Sequence, residues 1–114
     1  MILQDKVIIV TGGSGLLGRA IVQDIRHKGG LPINMDLQVP TDLAGGTYAV
    51  DITDDQAVQA AVHAISAHFG KIDGLVNNAY PRTADWGKRF EDIAPDSWRQ
   101  NIDMQLNSYF VMSQ

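Results

Sequence analysis

The 114-residue chain contains no cysteine, which excludes disulfides, thiolate metal ligands and a cysteine nucleophile. Its three histidines do not fill the gap. His63 and His68 stand five residues apart, off the i, i+4 spacing that puts paired zinc ligands on one helix face, so no metal site is expected. Long apolar runs are missing too. The run Val7-Ile8-Ile9-Val10 falls far short of the ~20 residues of a bilayer span, and Met1-Ile2-Leu3-Gln4-Asp5 lacks the charged and apolar regions of a signal peptide. The expectations are no membrane partner and a cytoplasmic location. Clusters of basic residues are also absent. Nine basic against thirteen acidic side chains give a net charge of -4, with no cationic footprint for neutralising phosphates, so nucleic acid is not an expected partner.

What remains is a globular composition, 45% apolar and 19% charged, in the length of one domain, read as residues 1–114. Residues 6–10 form a β-branched run suited to a strand covered on both faces. After a glycine turn, residues 16–28 place Leu17, Ala20, Ile21 and Ile25 on a helical stripe that Gly29-Gly30 stops. Residues 31–35 form a second strand with Asp36 at its carboxyl end, residues 37–46 a loop, and residues 47–50 a third strand. Thr53-Asp54-Asp55-Gln56 matches a capping box ahead of Val58, Ala61, Val62, Ile65 and Phe69, and Gly70 closes that helix. A fourth strand is predicted at 73–77 and a polar loop at 80–91. Pro95 opens a last helix running through Trp98, Ile102, Leu106, Tyr109 and Phe110 to the end. The alternation predicts an α/β fold: a Rossmann-like doubly wound parallel sheet of about four strands in order 3-2-1-4, with three to four helices.

Gly13-Ser14-Gly15-Leu16-Leu17-Gly18 fits the G-x-G-x-x-G pattern between a predicted strand and a predicted helix. Residues without Cβ permit a tight turn, let the backbone approach a pyrophosphate and allow Gly18 to pack helix on strand. Unpaired N–H groups near Leu16 and Leu17 would then face the phosphates at the positive end of the helix dipole. Asp36 lies eighteen residues past Gly18, where a carboxylate can accept hydrogen bonds from both hydroxyls of the adenosine ribose. Each such charge-assisted bond contributes about 1.5–3 kcal/mol, and the same carboxylate repels a 2′-phosphate, so NAD is expected over NADP. The plainer alternatives are a glycine-rich turn without a ligand and a surface aspartate opening a loop. A P-loop does not fit, because Gly18-Arg19-Ala20 lacks the Gly-Lys-Ser/Thr it needs.

Thr11-Gly12 with the following glycines, Asp51-Ile52-Thr53, and Leu75-Val76-Asn77-Asn78-Ala79 together resemble the short-chain dehydrogenase/reductase family, over all 114 residues and somewhat under half of a typical member. The resemblance implies that Gly12, Ser14, Gly15, Leu16 and Leu17 surround the pyrophosphate and ribose. It implies too that Asp51 and Ile52 hold the adenine, and that Asn78, Ala79 and Tyr80 line the cofactor beside the fourth strand. Read without it, Asp51 could simply precede the capping box, and Asn77-Asn78 could satisfy backbone groups at a strand end.

Three positions depart from the family pattern. Glycines at 12, 15 and 18 resemble the extended branch, while Asn77-Asn78-Ala79 and the short loop after Asp36 resemble the one-domain branch, which the features shaping the pocket favour. Tyr80 stands where glycine is usual. Gln105 occupies the position of a catalytic asparagine, and Asn107, roughly 200° around a regular helix, cannot replace it. Gln105 retains an amide able to orient a backbone carbonyl or a water chain. A narrower resemblance, over Ala79-Tyr80-Pro81-Arg82, Trp86-Gly87-Lys88 and Phe90-Glu91-Asp92-Ile93, is to members associated with flagellin modification and nonulosonic-acid sugars. It implies a sugar hydroxyl as substrate, with Arg82 or Lys88 meeting an anion; a solvated basic loop is the alternative.

The family's chemistry uses a tyrosine four residues before a lysine. Tyr48, Tyr80 and Tyr109 are followed at that distance by Ile52, Ala84 and Ser113. The expectation is therefore an NAD-binding N-terminal portion of an alcohol–carbonyl oxidoreductase, truncated before its catalytic half and inactive alone. The alternative is a non-catalytic dinucleotide-binding module, a sensor or scaffold. The family's corresponding last helix packs in a subunit interface, which implies a homo-oligomer through that element.

Overall fold

The computed structural model describes residues 1–114. Strand β1 (Val7–Thr11) runs parallel between β2 (Leu31–Asp36) and β4 (Gly74–Val76), and β3 (Thr47–Ala49) adds to the far side of β2, giving the order β3-β2-β1-β4. Register places Thr11 beside Met35, Ile9 beside Leu75 and Asp36 beside Ala49, so the carboxyl ends of all four strands share one edge. This is the predicted topology. Parallel neighbours need crossovers, and α1 (Leu16–His27) and α2 (Asp55–Phe69) supply them.

The two helices cover opposite faces of the sheet. Val7, Ile9, Ile33 and Met35 pack with Val58, Ala61 and Ile65 of α2, while Val10 packs with Val22 and Ile25 of α1. Strand β1 is thus buried on both sides, as its β-branched run requires. The buried stripe of α1 is a correction to the expected one: Gly18, Val22 and Ile25 face inward, whereas Leu17 and Ala20 are exposed. Seating Gly18 against the glycine turn sets the helix rotation and leaves Leu16 and Leu17 outside the core.

Helix α2 also starts differently from expectation. Its N-cap is Asp54, whose carboxylate accepts the Ala57 N–H at 3.1 Å, while the Thr53 hydroxyl donates to Asp51 at 2.6 Å. Asp51 captures Thr53 in a local turn, and a carboxylate at the positive helix end takes the cap one residue later. Gly70 ends the helix in the left-handed conformation at φ +78°, as its position predicts.

The predicted last helix is not one regular helix. Pro95 opens α3 (Pro95–Ile102), a wide π turn follows at Asp103–Asn107, and α4 (Ser108–Ser113) continues the rod. The wide turn shifts every later residue around the axis relative to an unbroken helix. No helix is long and apolar enough to cross a membrane.

Two contacts in this frame have measurable consequences. A Cβ at Gly18 would lie 2.1 Å from the Gly12 carbonyl oxygen and 2.7 Å from the Gly13 Cα. Gly18→Ala is therefore expected to cost about 1–3 kcal/mol by overpacking, read as a lower urea midpoint. Asp73 accepts the Val7 N–H at 2.8 Å and pairs with Lys71 at 3.0 Å, and these contacts hold its pKa below the ordinary carboxylate value. The resulting stability is present above the unfolded pKa of about 3.9 and is lost as pH falls through the depressed folded value. Asp73→Asn should lower stability near neutrality and flatten the acid limb of the urea midpoint plotted against pH.

Candidate functional site

The glycine turn is built where β1 ends and is held from β2. Gly12 takes φ +67°, and a Cβ there would come 2.9 Å from the Ala79 Cα, so both the conformation and the space demand glycine. The Gly13 N–H donates to the Asn34 side-chain oxygen at 2.8 Å, and the Asn34 amide donates to the Ser14 hydroxyl at 3.0 Å. Asp36 accepts the Ser14 N–H at 3.1 Å and the Leu37 N–H at 2.7 Å. Strand β2 therefore splints the turn through two polar side chains one pleat apart. Asn34 was missed from sequence. The signal was available, because asparagine is depleted in strands and here interrupts an otherwise apolar run.

Helix α1 begins uncapped. Its N-cap is Gly15, which has no side chain to offer, its first turn holds no acidic residue, and the Leu16 and Leu17 N–H groups have no acceptor in the molecule. Helix α2 closes its own first turn with Asp54. The free N–H pair and the positive dipole end leave α1 open to an anion.

Across β1, the Thr11 hydroxyl accepts the N–H groups of Asn78 and Ala79, both at 3.0 Å, and the Asn78 amide donates to the Thr11 and Gly12 carbonyls at 3.2 and 3.1 Å. Asn78 thus ties the end of β4 to the glycine turn, the backbone-satisfying role open to it from sequence, while also lining the cavity. Asp51 accepts both the N–H and the hydroxyl of Thr53, at 2.9 and 2.6 Å, and lines the same space.

That space is a cavity of about 640 Å³ at the carboxyl edge of the sheet, over the topological switch between β2 and β4 on either side of β1. Gly12, Ser14, Gly15, Leu16 and Leu17 form its floor, Asp36, Asp51 and Ile52 one side, and Asn78, Ala79 and Tyr80 the other. Of the expected binding residues only Gly18 lies behind the wall, where it seats the helix. The residues fit a dinucleotide: open amides for a diphosphate, a carboxylate at the end of β2 for ribose hydroxyls, and apolar walls for rings. Bound there, a nicotinamide dinucleotide would supply hydride chemistry, while the chain's own groups position it.

Gln105 is not at the cavity wall. Its amide donates to the Pro81 carbonyl at 3.0 Å from within the π turn, so it orients a backbone carbonyl. Asn107 donates to Asp103 and faces the groove between α2 and the last rod, away from the cavity. Two flanking residues join Gln105. The Tyr109 hydroxyl donates to the Ala79 carbonyl at 2.7 Å, and burial, then the neighbouring Tyr80, raise its pKa above the ordinary tyrosine value. Asn101, only 1% exposed, accepts the Thr83 N–H at 2.9 Å and donates to the Thr83 hydroxyl at 2.9 Å and the Ser97 carbonyl at 2.8 Å. Asn101 was not singled out from sequence, since a polar residue on a helix ordinarily faces water. Asn101→Ala would leave the Thr83 N–H without its partner and should cost about 1–3 kcal/mol in urea denaturation.

An open parallel sheet whose first strand passes through a glycine turn into an uncapped helix is the dinucleotide-binding type of α/β fold. The short chain dehydrogenase family profile matches residues 6–114, and the chain belongs to that family. It is similar to the post-translational flagellin modification protein A of Campylobacter coli, 26% identical over 98% of this chain and 49% of that one. It is also similar to the D-threitol dehydrogenase of Mycolicibacterium smegmatis, 32% identical over 98% of this chain and 46% of that one. Among solved structures, a short chain dehydrogenase from Leptospira borgpetersenii with bound NAD+ superposes at a TM-score of 0.81 with 25% identity, covering 98% of this chain and 44% of the other. The chain spans about half the length of these relatives.

Proposed function

We propose that this chain holds NAD for an oxidoreductase that transfers hydride between nicotinamide and an alcohol or carbonyl. The observation that carries the reading is the cavity that unites the open first turn of α1 with the Asp36 carboxylate. The diphosphate sits on the Leu16 and Leu17 amides, and Asp36 receives the ribose hydroxyls and rejects a 2′-phosphate, which selects NAD over NADP. The match to a D-threitol dehydrogenase supports a polyol or sugar hydroxyl as the small-molecule substrate. Gln105 serves by positioning the Pro81 carbonyl.

No tyrosine of the 114 residues stands four before a lysine, so on this reading the chain binds cofactor without supplying the proton relay and is inactive alone. Gln105 and Tyr80, which stand where the family pattern has asparagine and glycine, favour a second reading, a dinucleotide-binding sensor or scaffold; a Tyr-x-x-x-Lys downstream in a longer reading frame decides for the enzyme. Trp98, Ile102, Leu106 and Phe110 recur every four residues along the last rod and are 55%, 42%, 62% and 66% exposed. A row of that size supports homo-oligomer formation through this face.

The test is a fluorescence titration of the chain with NADH and with NADPH. NADH is expected to bind at least about tenfold tighter, a difference of roughly 1.4 kcal/mol, and Asp36→Ala should bring the two affinities together. Equal affinities for the unaltered chain overturn the assignment of Asp36.

A further inference from the structure

Asn101, Gln105 and Tyr109 stand four residues apart on the last rod and grip Thr83, Pro81 and Ala79, two residues apart on the segment leaving β4. The residues between the gripped positions, Tyr80 and Arg82, are exposed, and both line the cavity together with Ala79 and Pro81.

Arg82 is the sole lysine, arginine or histidine among the lining residues, and it forms no ion pair with any carboxylate. Its guanidinium lies 5.9 Å from the Tyr80 ring centroid and donates to the Tyr80 carbonyl at 3.2 Å. Tyr80 is itself braced edge-on by Trp86, with 5.5 Å between ring centroids. One donor of the guanidinium is engaged; the others remain for a ligand. The lining carboxylates Asp36 and Asp51 lie at the ends of β2 and β3, while Arg82 follows β4 across β1. Two strand spacings, roughly 10 Å, separate the β2 and β4 sides.

We propose that the Asn101–Gln105–Tyr109 ladder sets Arg82 on Tyr80 as the receptor for an anionic group, phosphate or carboxylate, carried by the substrate. This rests on the reading of the cavity as an NAD site, with the dinucleotide's ribose toward Asp36 and the substrate toward β4. A planar guanidinium fixed on an aromatic face meets the paired oxygens of either anion through two parallel N–H donors.

The experiment uses the 114-residue chain carrying Trp98→Phe, so that Trp86 is the only tryptophan and its emission reports on Tyr80 and Arg82. Inorganic phosphate is titrated at constant ionic strength, with and without saturating NAD+, and NAD+ affinity is measured separately by calorimetry. The expected result is a saturable change in Trp86 emission whose phosphate affinity falls at least tenfold in both Arg82→Ala and Arg82→Gln, with NAD+ affinity changed less than twofold. A response that does not saturate, or that both variants retain, overturns the proposal. A tenfold loss of NAD+ affinity in the variants also overturns it, assigning Arg82 to the cofactor's diphosphate. If the unaltered chain fails to bind NAD+, the NAD reading fails, and the arm without NAD+ still decides whether Arg82 receives an anion.

Discussion

The contact on which this site depends is the approach of Gly18 to the Gly12 carbonyl, at a distance that a single methyl group would close. Because nothing projects from Gly18, the first turn of α1 rests directly on the end of β1. Helix rotation follows from that seat: Val22 and Ile25 turn inward, and Leu16 and Leu17 come to the cavity floor with their N–H groups unpaired. The two long helices both begin at the carboxyl edge of the sheet, but only α2 brings its own acceptor. The contrast between Asp54 and Gly15 is the difference between a closed helix end and a ligand-ready one.

The turn cannot hold its shape unaided. Asn34 and Asp36 fasten it from β2, and Thr11 and Asn78 fasten it to β4, so the amides facing the cavity are fixed before any ligand arrives. Preorganisation of this kind lowers the ordering cost of binding. Asp36 has a double part, since the carboxylate that accepts the Ser14 and Leu37 N–H groups is the one facing a ribose in the proposed complex.

On the β4 side the same accounting of backbone groups is done by a helix rather than a strand. The segment after Val76 has no sheet neighbour for the Ala79 and Pro81 carbonyls or the Thr83 N–H, and three side chains of the last rod supply their partners. Gln105 supplies the middle bond, to the Pro81 carbonyl. The flanking Asn101 and Tyr109 extend that single bond into a ladder along the segment that carries Tyr80.

Strand order, the alternation of strand and helix, the glycine turn and the acidic residue at the end of β2 were legible in the chain alone, because burial periodicity and the freedom of glycine act within a few residues of one another. The start of α2 was displaced by one residue, since Thr53 had two local partners and Asp51 took it. The breadth of the turn at 103–107 and the roles of Asn34, Asn101 and Tyr109 were not legible. Each of these side chains satisfies a group 20 or more residues away, or 18 in the case of Asn101, and only packing the last rod against the segment after β4 and β2 against the glycine turn brings such partners within hydrogen-bond reach. Local chemistry chose the elements; tertiary contact decided which polar atoms within them meet.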